Sequence, residues 1–322
     1  MHTNPIVMLH TDNPDEARAV LIDHHPDLTI HTCDTYGDLP TMLAETQASV
    51  VYSVRFWGTA SFPRKALVES ETVKWVSVGG SGTDHLLPWN KDLVTVTNAA
   101  GVAADMMAQY VLGTMLHFSL NLDSLLVAKR NREWLMGKVE PIDGKTALIV
   151  GLGPTGIAVA RLCKAMGLKT LGVRARPKKT PHVDEIHSTN DLRQLWPRAD
   201  YIVLCVPLLE TTRGLVGKDA FELMKPEAVL VDVSRGGVVD EPALISALDE
   251  ERIRGAALDV FAEEPLPAEH PLWSYDKVII SPHCSSVYDG WETKSVRMFA
   301  ENLSRYRAGQ QLANIINPAI GY

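Results

Sequence analysis

The run Leu148-Ile149-Val150-Gly151-Leu152-Gly153-Pro154-Thr155-Gly156 limits what this chain can fold into more than any other stretch. Branched apolar residues lead straight into glycines spaced G-x-G-x-x-G, and a helix-forming stretch, Pro154–Met166, follows. The glycines differ in their steric roles. The first allows a tight turn, the second lets a pyrophosphate approach the backbone, and the third lets helix and strand pack closely. Pro154 lacks an amide hydrogen, but in the first turn of a helix that donor has no intrahelical partner. The remaining amides and the positive end of the helix dipole suit phosphate. Strand, turn and helix together point to a dinucleotide site.

The surrounding pattern agrees. Short β-rich runs alternate with helical patterns along the 322 residues, which argues for parallel sheets with crossover helices. Expected strands in the first third are Ile6–Leu9, Leu28–Thr32, Val50–Val54, Trp75–Val78 and Val94–Thr97. A helix is expected at Pro14–Asp23, capped by Asn13, and a long one from after Gly101 towards Asn121. Six further strands follow: Thr146–Val150, Thr170–Val173, Tyr201–Val206, Val229–Val233, Ala256–Val260 and Val278–Ser281. Helices such as Glu241–Leu248 fit between them, as in a dinucleotide-binding domain. A last helix, about Asp289–Arg307, needs somewhere to pack, and one option is that it crosses back to the first domain.

The strand after the glycine turn ends in Arg174-Ala175-Arg176-Pro177-Lys178-Lys179. Arg174 lies 18 residues beyond Gly156, where an NAD enzyme places Asp or Glu against the ribose hydroxyls. Four cations and no acid favour a 2′-phosphate, hence NADP over NAD; a solvated basic loop is the plainer reading.

Composition narrows the partners. Thirty-one Lys and Arg against 39 Asp and Glu give a net charge of -8, without general attraction to nucleic acid or anionic membrane. The apolar run Met106–Leu122 is short and carries Gln109, His117, Ser119 and Asn121, which fits a buried helix better than a membrane span. Four scattered cysteines and an N-terminus without a basic-then-apolar signal fit a reduced, cytoplasmic protein. His24-His25, and His182 with His187, lack metal-ligand spacing and read as surface residues, so no metal is expected.

Three residues just beyond strand ends carry chemistry: Arg235, Glu264 and His283. An arginine fork can clamp the carboxylate of a 2-keto acid. A histidine can donate a proton to the carbonyl oxygen as hydride arrives, and a carboxylate can orient its ring.

The segments around them, Val231-Asp232-Val233-Ser234-Arg235-Gly236-Gly237, Ala257-Leu258-Asp259-Val260-Phe261-Ala262-Glu263-Glu264-Pro265 and Ser281-Pro282-His283, resemble the D-isomer-specific 2-hydroxyacid dehydrogenase family. So do Gly80-Ser81-Gly82-Thr83-Asp84-His85, and Asn98 followed by Ala108-Gln109-Tyr110. Pro271-Leu272-Trp273 and the closing Asn317-Pro318-Ala319-Ile320-Gly321-Tyr322 resemble its glyoxylate/hydroxypyruvate reductase branch. The resemblance implies an α/β fold of two Rossmann-like parallel-sheet domains. The substrate domain, 1–98 and 293–322, would be discontinuous and flavodoxin-like, and the cofactor domain would be 99–292. It implies Arg235, Glu264 and His283 as catalytic residues, with Gly80, Ser81 and Gly82 joining Arg235 and His283 on the substrate. Gly151, Gly153, Pro154, Thr155, Gly156, Arg174, Arg176, Val206, Pro207, Thr212, Val233, Ser234 and Asp259 would meet the cofactor, NADP preferred and NAD possible. A small 2-keto acid substrate and a homodimer follow.

Some positions depart from that pattern. Gln109 replaces a common Glu, and Cys284-Ser285 follow the histidine where small apolar residues are usual, which touches substrate preference. Formate dehydrogenases of the superfamily carry Gln at the position of Glu264, so formate oxidation is disfavoured. Cys284 beside His283 invites a thiol nucleophile, but neighbours at a strand end usually point apart. Trp134 reads either as core or as reaching a neighbouring subunit's active site. Arg55, Phe56 and Trp57 read as a pocket wall or as a surface loop. A nucleotide-sensing corepressor-like protein is the alternative function; it would bind NAD(P)H yet turn over little. A 3-phosphoglycerate-type dehydrogenase is a third.

Overall fold

Every pairing between named strands in the computed structural model, which describes residues 4–56, 61–137 and 139–319, is parallel. The chain forms two compact units, 1–102 with 288–322, and 103–287. The first contains β1 (Val7–His10), α1 (Pro14–His24), β2 (Ile30–Cys33), α2 (Leu39–Thr46), β3 (Val50–Ser53), α3 (Arg64–Val68), β4 (Trp75–Val78) and β5 (Thr95–Asn98). The second runs α4 (Ala104–Leu120), α5 (Leu122–Asn131), β6 (Thr146–Val150), α6 (Pro154–Ala165), β7 (Lys169–Val173), β8 (Glu185–His187) and α7 (Leu192–Leu195). It continues through β9 (Tyr201–Leu204), α8 (Lys218–Leu223), β10 (Val229–Asp232), α9 (Glu241–Asp249), β11 (Gly255–Leu258) and β12 (Val278–Ile280). Helix α10 (Trp291–Arg307) returns to the first unit.

The first sheet has the order β2-β1-β3-β4-β5, the flavodoxin-like arrangement. Alternate residues serve opposite faces, so both faces must be apolar. Val7, Leu9, Tyr52 and Trp75 pack on Leu21 of α1 and on Val296, Phe299 and Leu303 of α10, while Met8, Val51 and Val76 pack on Leu39, Leu43 and Leu67. The buried rings find polar partners: Tyr52 donates to Ser295 Oγ and Trp75 Nε1 to Thr97 Oγ1, both at 2.9 Å.

The second sheet runs β12-β11-β10-β9-β6-β7-β8. Ala147, Ile149, Val203 and Val231 face Val111, Met115 and Phe118 of α4, and Leu148, Val150, Ile202 and Leu230 face Phe221, Leu244 and Leu248. This sheet has seven strands where six were expected. The added β8 is three residues long with charge at its first position, so it carries no apolar run; pairing with β7 defines it.

The long helix ends at Leu120, as the sequence implies; Asn121 turns left-handed (φ 53°) and α5 starts at once. No single helix among the described residues is long and apolar enough to cross a membrane; α4 and α5 reach that composition only as a pair bent by 59°. Asn13 stands at the N-cap position of α1 as expected, but its side chain makes no capping bond; its amide donates to Glu16 Oε2 at 2.8 Å instead. His25 is buried, with Nε2 2.9 Å from the Ala300 carbonyl oxygen beneath α10, so only His24 of that pair is at the surface. Strand β9 ends at Leu204, two residues early, and Val206 lies in the loop beyond. Of the closing segment, Ile320, Gly321 and Tyr322 lie outside the described residues.

Candidate active site

The glycine turn follows β6, which lies between β9 and β7 in the sheet, and two of its glycines are sterically enforced. Gly151 has φ +103°, and a Cβ there would lie 2.5 Å from the Cys205 carbonyl oxygen. A Cβ on Gly156 would lie 1.9 Å from the Gly151 carbonyl oxygen, because helix and turn touch. Around Gly153 no atom would come within 4 Å of such a Cβ, so the approach to the amino end of α6 is open. Pro154 occupies the first helical turn. The turn therefore fits a pyrophosphate as its spacing implies.

The neighbouring strand β7 delivers Arg174, whose amide is tied to the His187 carbonyl of β8 at 3.1 Å. Nearby acids are already engaged: Asp184 pairs with Lys164 at 2.8 Å and Glu185 with Arg198 at 2.7 Å. The side chains of Arg174 and Arg176 have no ion-pair or hydrogen-bond partner among the described residues, and Arg176, Lys178 and Lys179 are exposed.

On the other side of β6, adjacent strands β10, β11 and β12 end in register at Asp232, Leu258 and Ile280. Beyond each end stands one of the three chemical residues. Arg235 is half-buried, with Nη1 donating to the Ser234 carbonyl at 2.6 Å. Its loop is braced on both sides. A Cβ on Gly236 would lie 1.7 Å from the Phe261 carbonyl oxygen, and Asp240 caps α9 by accepting from the Ala243 amide at 3.1 Å.

Glu264 accepts from the Phe261 amide at 3.0 Å through Oε1 and meets His283 Nδ1 at 2.8 Å through Oε2. Burial raises its carboxyl, but the His283 hydrogen bond, the Phe261 amide and the charges of His283 and Arg235 outweigh that and hold it below the ordinary range. The loop after β11 thus turns Glu264 towards His283 while leaving its side chain partly exposed.

His283 itself has φ +52°, an uncommon left-handed conformation for a bulky residue. Asp259 maintains it: its carboxylate accepts from Ser281 Oγ and from the amides of Cys284, at 2.9 Å, and Ser285, at 3.1 Å, while its carbonyl accepts from the His283 amide at 2.9 Å. Tyr110 of α4 adds a 2.7 Å bond to Ser281. Sequence reasoning places Asp259 beside a cofactor and misses this holding role; an acid opening a loop opposite a Ser-Pro-His turn is the available signal. Burial pushes the Cys284 thiol up, which does not favour a nucleophile.

Other expected cofactor positions are partly closed. Val233, Ser234 and Thr212 are 3%, 3% and 8% exposed, and Thr212 Oγ1 is bonded within its own loop, to Pro207 and Leu209. Val206 and Pro207 remain accessible in that loop.

In the first unit, Gly80, Ser81 and Gly82 follow β4. Their carbonyls at 80 and 81 are held by the Ala99 amide, 2.9 Å, and the Asn98 side chain, 2.6 Å, while their own amides donate to no group among the described residues. Phe56 stacks on Tyr36 with ring centroids 4.5 Å apart and Arg55 is exposed; Trp57 lies outside the described residues. Trp134, open to either reading from sequence, is 91% exposed rather than core.

Comparison with known proteins gives concordant results. A family model described as D-isomer specific 2-hydroxyacid dehydrogenase, NAD binding domain, matches residues 112–285. The chain is 30% identical over 318 residues, 97% of its length, to D-3-phosphoglycerate dehydrogenase of Methanocaldococcus jannaschii, but spans only 59% of that relative. It is 34% identical over 237 residues, 70% of each chain, to glyoxylate reductase of Thermococcus gammatolerans. A D-isomer specific 2-hydroxyacid dehydrogenase of Xanthobacter autotrophicus, solved in complex with NADPH and MES, superposes with a TM-score of 0.85 at 26% identity, covering 99% of this chain and 100% of that one.

Proposed function

This chain belongs to the D-isomer specific 2-hydroxyacid dehydrogenase family, and we propose that it reduces a short 2-keto acid, such as glyoxylate or hydroxypyruvate, to the D-2-hydroxy acid with NADPH. The observation that carries this reading is the 2.8 Å contact between His283 Nδ1 and Glu264 Oε2, with the charge of Arg235 close enough to act on the same carboxylate.

When bound, the dinucleotide supplies hydride to the substrate's carbonyl carbon. Everything else falls to side chains. Arg235 holds the substrate carboxylate through its fork of donors; the family resemblance also assigns the amides of Gly80, Ser81 and Gly82 to substrate binding. His283 gives its Nε2 proton to the carbonyl oxygen, which becomes the hydroxyl. Glu264 keeps the ring oriented and stabilises its positive charge. Gly151, Gly153, Pro154, Thr155 and Gly156 receive the pyrophosphate, and Arg174 and Arg176 the 2′-phosphate. The loop of Val206 and Pro207, shaped by Thr212, borders the nicotinamide.

In this reading the unit of 103–287 carries the cofactor and the other unit the substrate. Exposed Leu125, Leu126, Met136 and Val139 cluster with Trp134 in one stretch, which supports a homodimer. Four free cysteines support a reducing, cytoplasmic setting.

The test is consumption of NADPH, with NADH alongside, over a panel of glyoxylate, hydroxypyruvate, pyruvate and a phosphorylated keto acid. Turnover of glyoxylate or hydroxypyruvate is expected. A protein that binds NADPH but oxidises it with none of them would instead be a nucleotide sensor.

A further inference from the structure

A cavity of about 90 Å³ lies in the first unit, between the ends of β4 and β5, helix α10 and the segment 313–314. Its buried wall includes Ser77, Ser295 and Phe299, which are 5%, 1% and 2% exposed. Ser295 is bonded on both sides, from the Tyr52 hydroxyl at 2.9 Å and to the Gly79 carbonyl at 2.7 Å. The Ser77 hydroxyl has no hydrogen-bond partner among the described residues and keeps some solvent access.

At the rim stand Glu301 and Arg305, one turn apart on α10. A Glu–Arg pair at that spacing commonly closes into an ion pair. Here neither pairs with the other or with any other described group. Two exposed opposite charges beside a pocket lined by a hydroxyl without a protein partner complement a ligand that carries both charges and a small side chain.

We propose that this cavity binds a small α-amino acid. Its carboxylate meets Arg305, its ammonium meets Glu301, and its side chain points inward to Ser77 and Phe299. The cavity's volume of about 90 Å³ suits a small side chain. The walls also support the loop after β4: Asn98 lines the cavity and donates to the Ser81 carbonyl at 2.6 Å, and Ser295 donates to that of Gly79. Occupancy therefore changes the KM for the keto acid without changing that for NADPH, a consequence that rests on the proposed role of Gly80, Ser81 and Gly82.

Calorimetric titration of the full chain with glycine, L-alanine and L-serine tests the site and needs no turnover, so its failure is separate from that of the proposed reaction. Saturable binding of at least one is expected, and at least about tenfold weaker binding of acetate and ethylammonium, which carry one charge each. Arg305→Ala and Glu301→Ala should each weaken binding about tenfold, with unchanged melting temperature and basal turnover, and Arg305→Lys should recover part. Ser77→Val, which fills the cavity, should block it. No binding of any of the three, or equal binding by wild type and both alanine variants, overturns the site. Binding that leaves the keto-acid KM unmoved overturns the coupling.

Discussion

His283 Nδ1 lies 2.8 Å from Glu264 Oε2, which leaves Nε2 as the ring nitrogen without a partner among the described residues. The carboxylate thereby selects which nitrogen is available for proton transfer. His283→Ala should lower kcat by roughly 10²–10⁴, the range usual for loss of a general acid, with NADPH binding preserved. Near-normal steady-state turnover in that variant would remove His283 from the mechanism.

Glu264→Gln should keep a hydrogen bond to the ring while losing the charge. A smaller loss of kcat than in His283→Ala is expected, with the keto-acid KM little changed. A large rise in KM alone would make Glu264 a binding residue instead.

At Arg235, truncation to Ala should mainly raise the keto-acid KM. Lys should rescue it poorly, since an ammonium cannot present two parallel donors. Rescue by Lys to wild-type KM would show that charge alone suffices.

Cofactor preference follows from the unpaired side chains of Arg174 and Arg176. A charge-assisted hydrogen bond contributes about 1.5–3 kcal/mol, less when exposed or in salt. The ratio of kcat/KM for NADPH over NADH should exceed one, shrink as salt rises, and invert in Arg174→Asp. Equal use of both cofactors by the wild type at low salt would mean that the arginines remain solvated.

Burial pushes the Asp232 carboxyl up to about 7, against bonds from the Ser234 amide and hydroxyl that pull it down. A carboxyl raised from its ordinary value of 3.8 contributes stability below that value and loses it as pH rises to about 7. Urea midpoints of the wild type should therefore fall, relative to Asp232→Asn, across that window, by up to about 4 kcal/mol in unfolding free energy. Parallel pH profiles for the two proteins would place the titration elsewhere.

No cluster of three potential metal ligands occurs among the described residues. Activity should survive exhaustive EDTA treatment. Loss that only a divalent ion restores would overturn the proposed chemistry.

What is legible in the sequence is local. The turn at Gly151–Gly156 can be read because its glycine spacing and the strand leading into it fall within nine residues, and Arg174 because a strand delivers it a fixed distance later. Arg235, Glu264 and His283 are legible as residues following strands, but their pairing is not: 19 positions separate Glu264 from His283, and only the parallel register of β11 and β12 brings them together. β8 is illegible because three residues carry no periodicity. His25 reads as a surface residue because its partner, Ala300, is 275 residues away. Asp259's hold on the 281–285 turn and the cavity joining Ser77 to Arg305 are likewise products of tertiary packing.

Helix α10 also sets an order of events. The core of the first unit needs Phe299 and Leu303 against Val7 and Trp75, so it is incomplete until the last helix has been synthesised. The second unit is one continuous stretch, 103–287, that has everything it needs by then. On the ribosome, where domains tend to fold as units as they emerge, the glycine turn and the Arg235–Glu264–His283 edge are assembled first. The unit that begins the chain finishes last, and a nascent chain can hold its nucleotide site before the other unit exists.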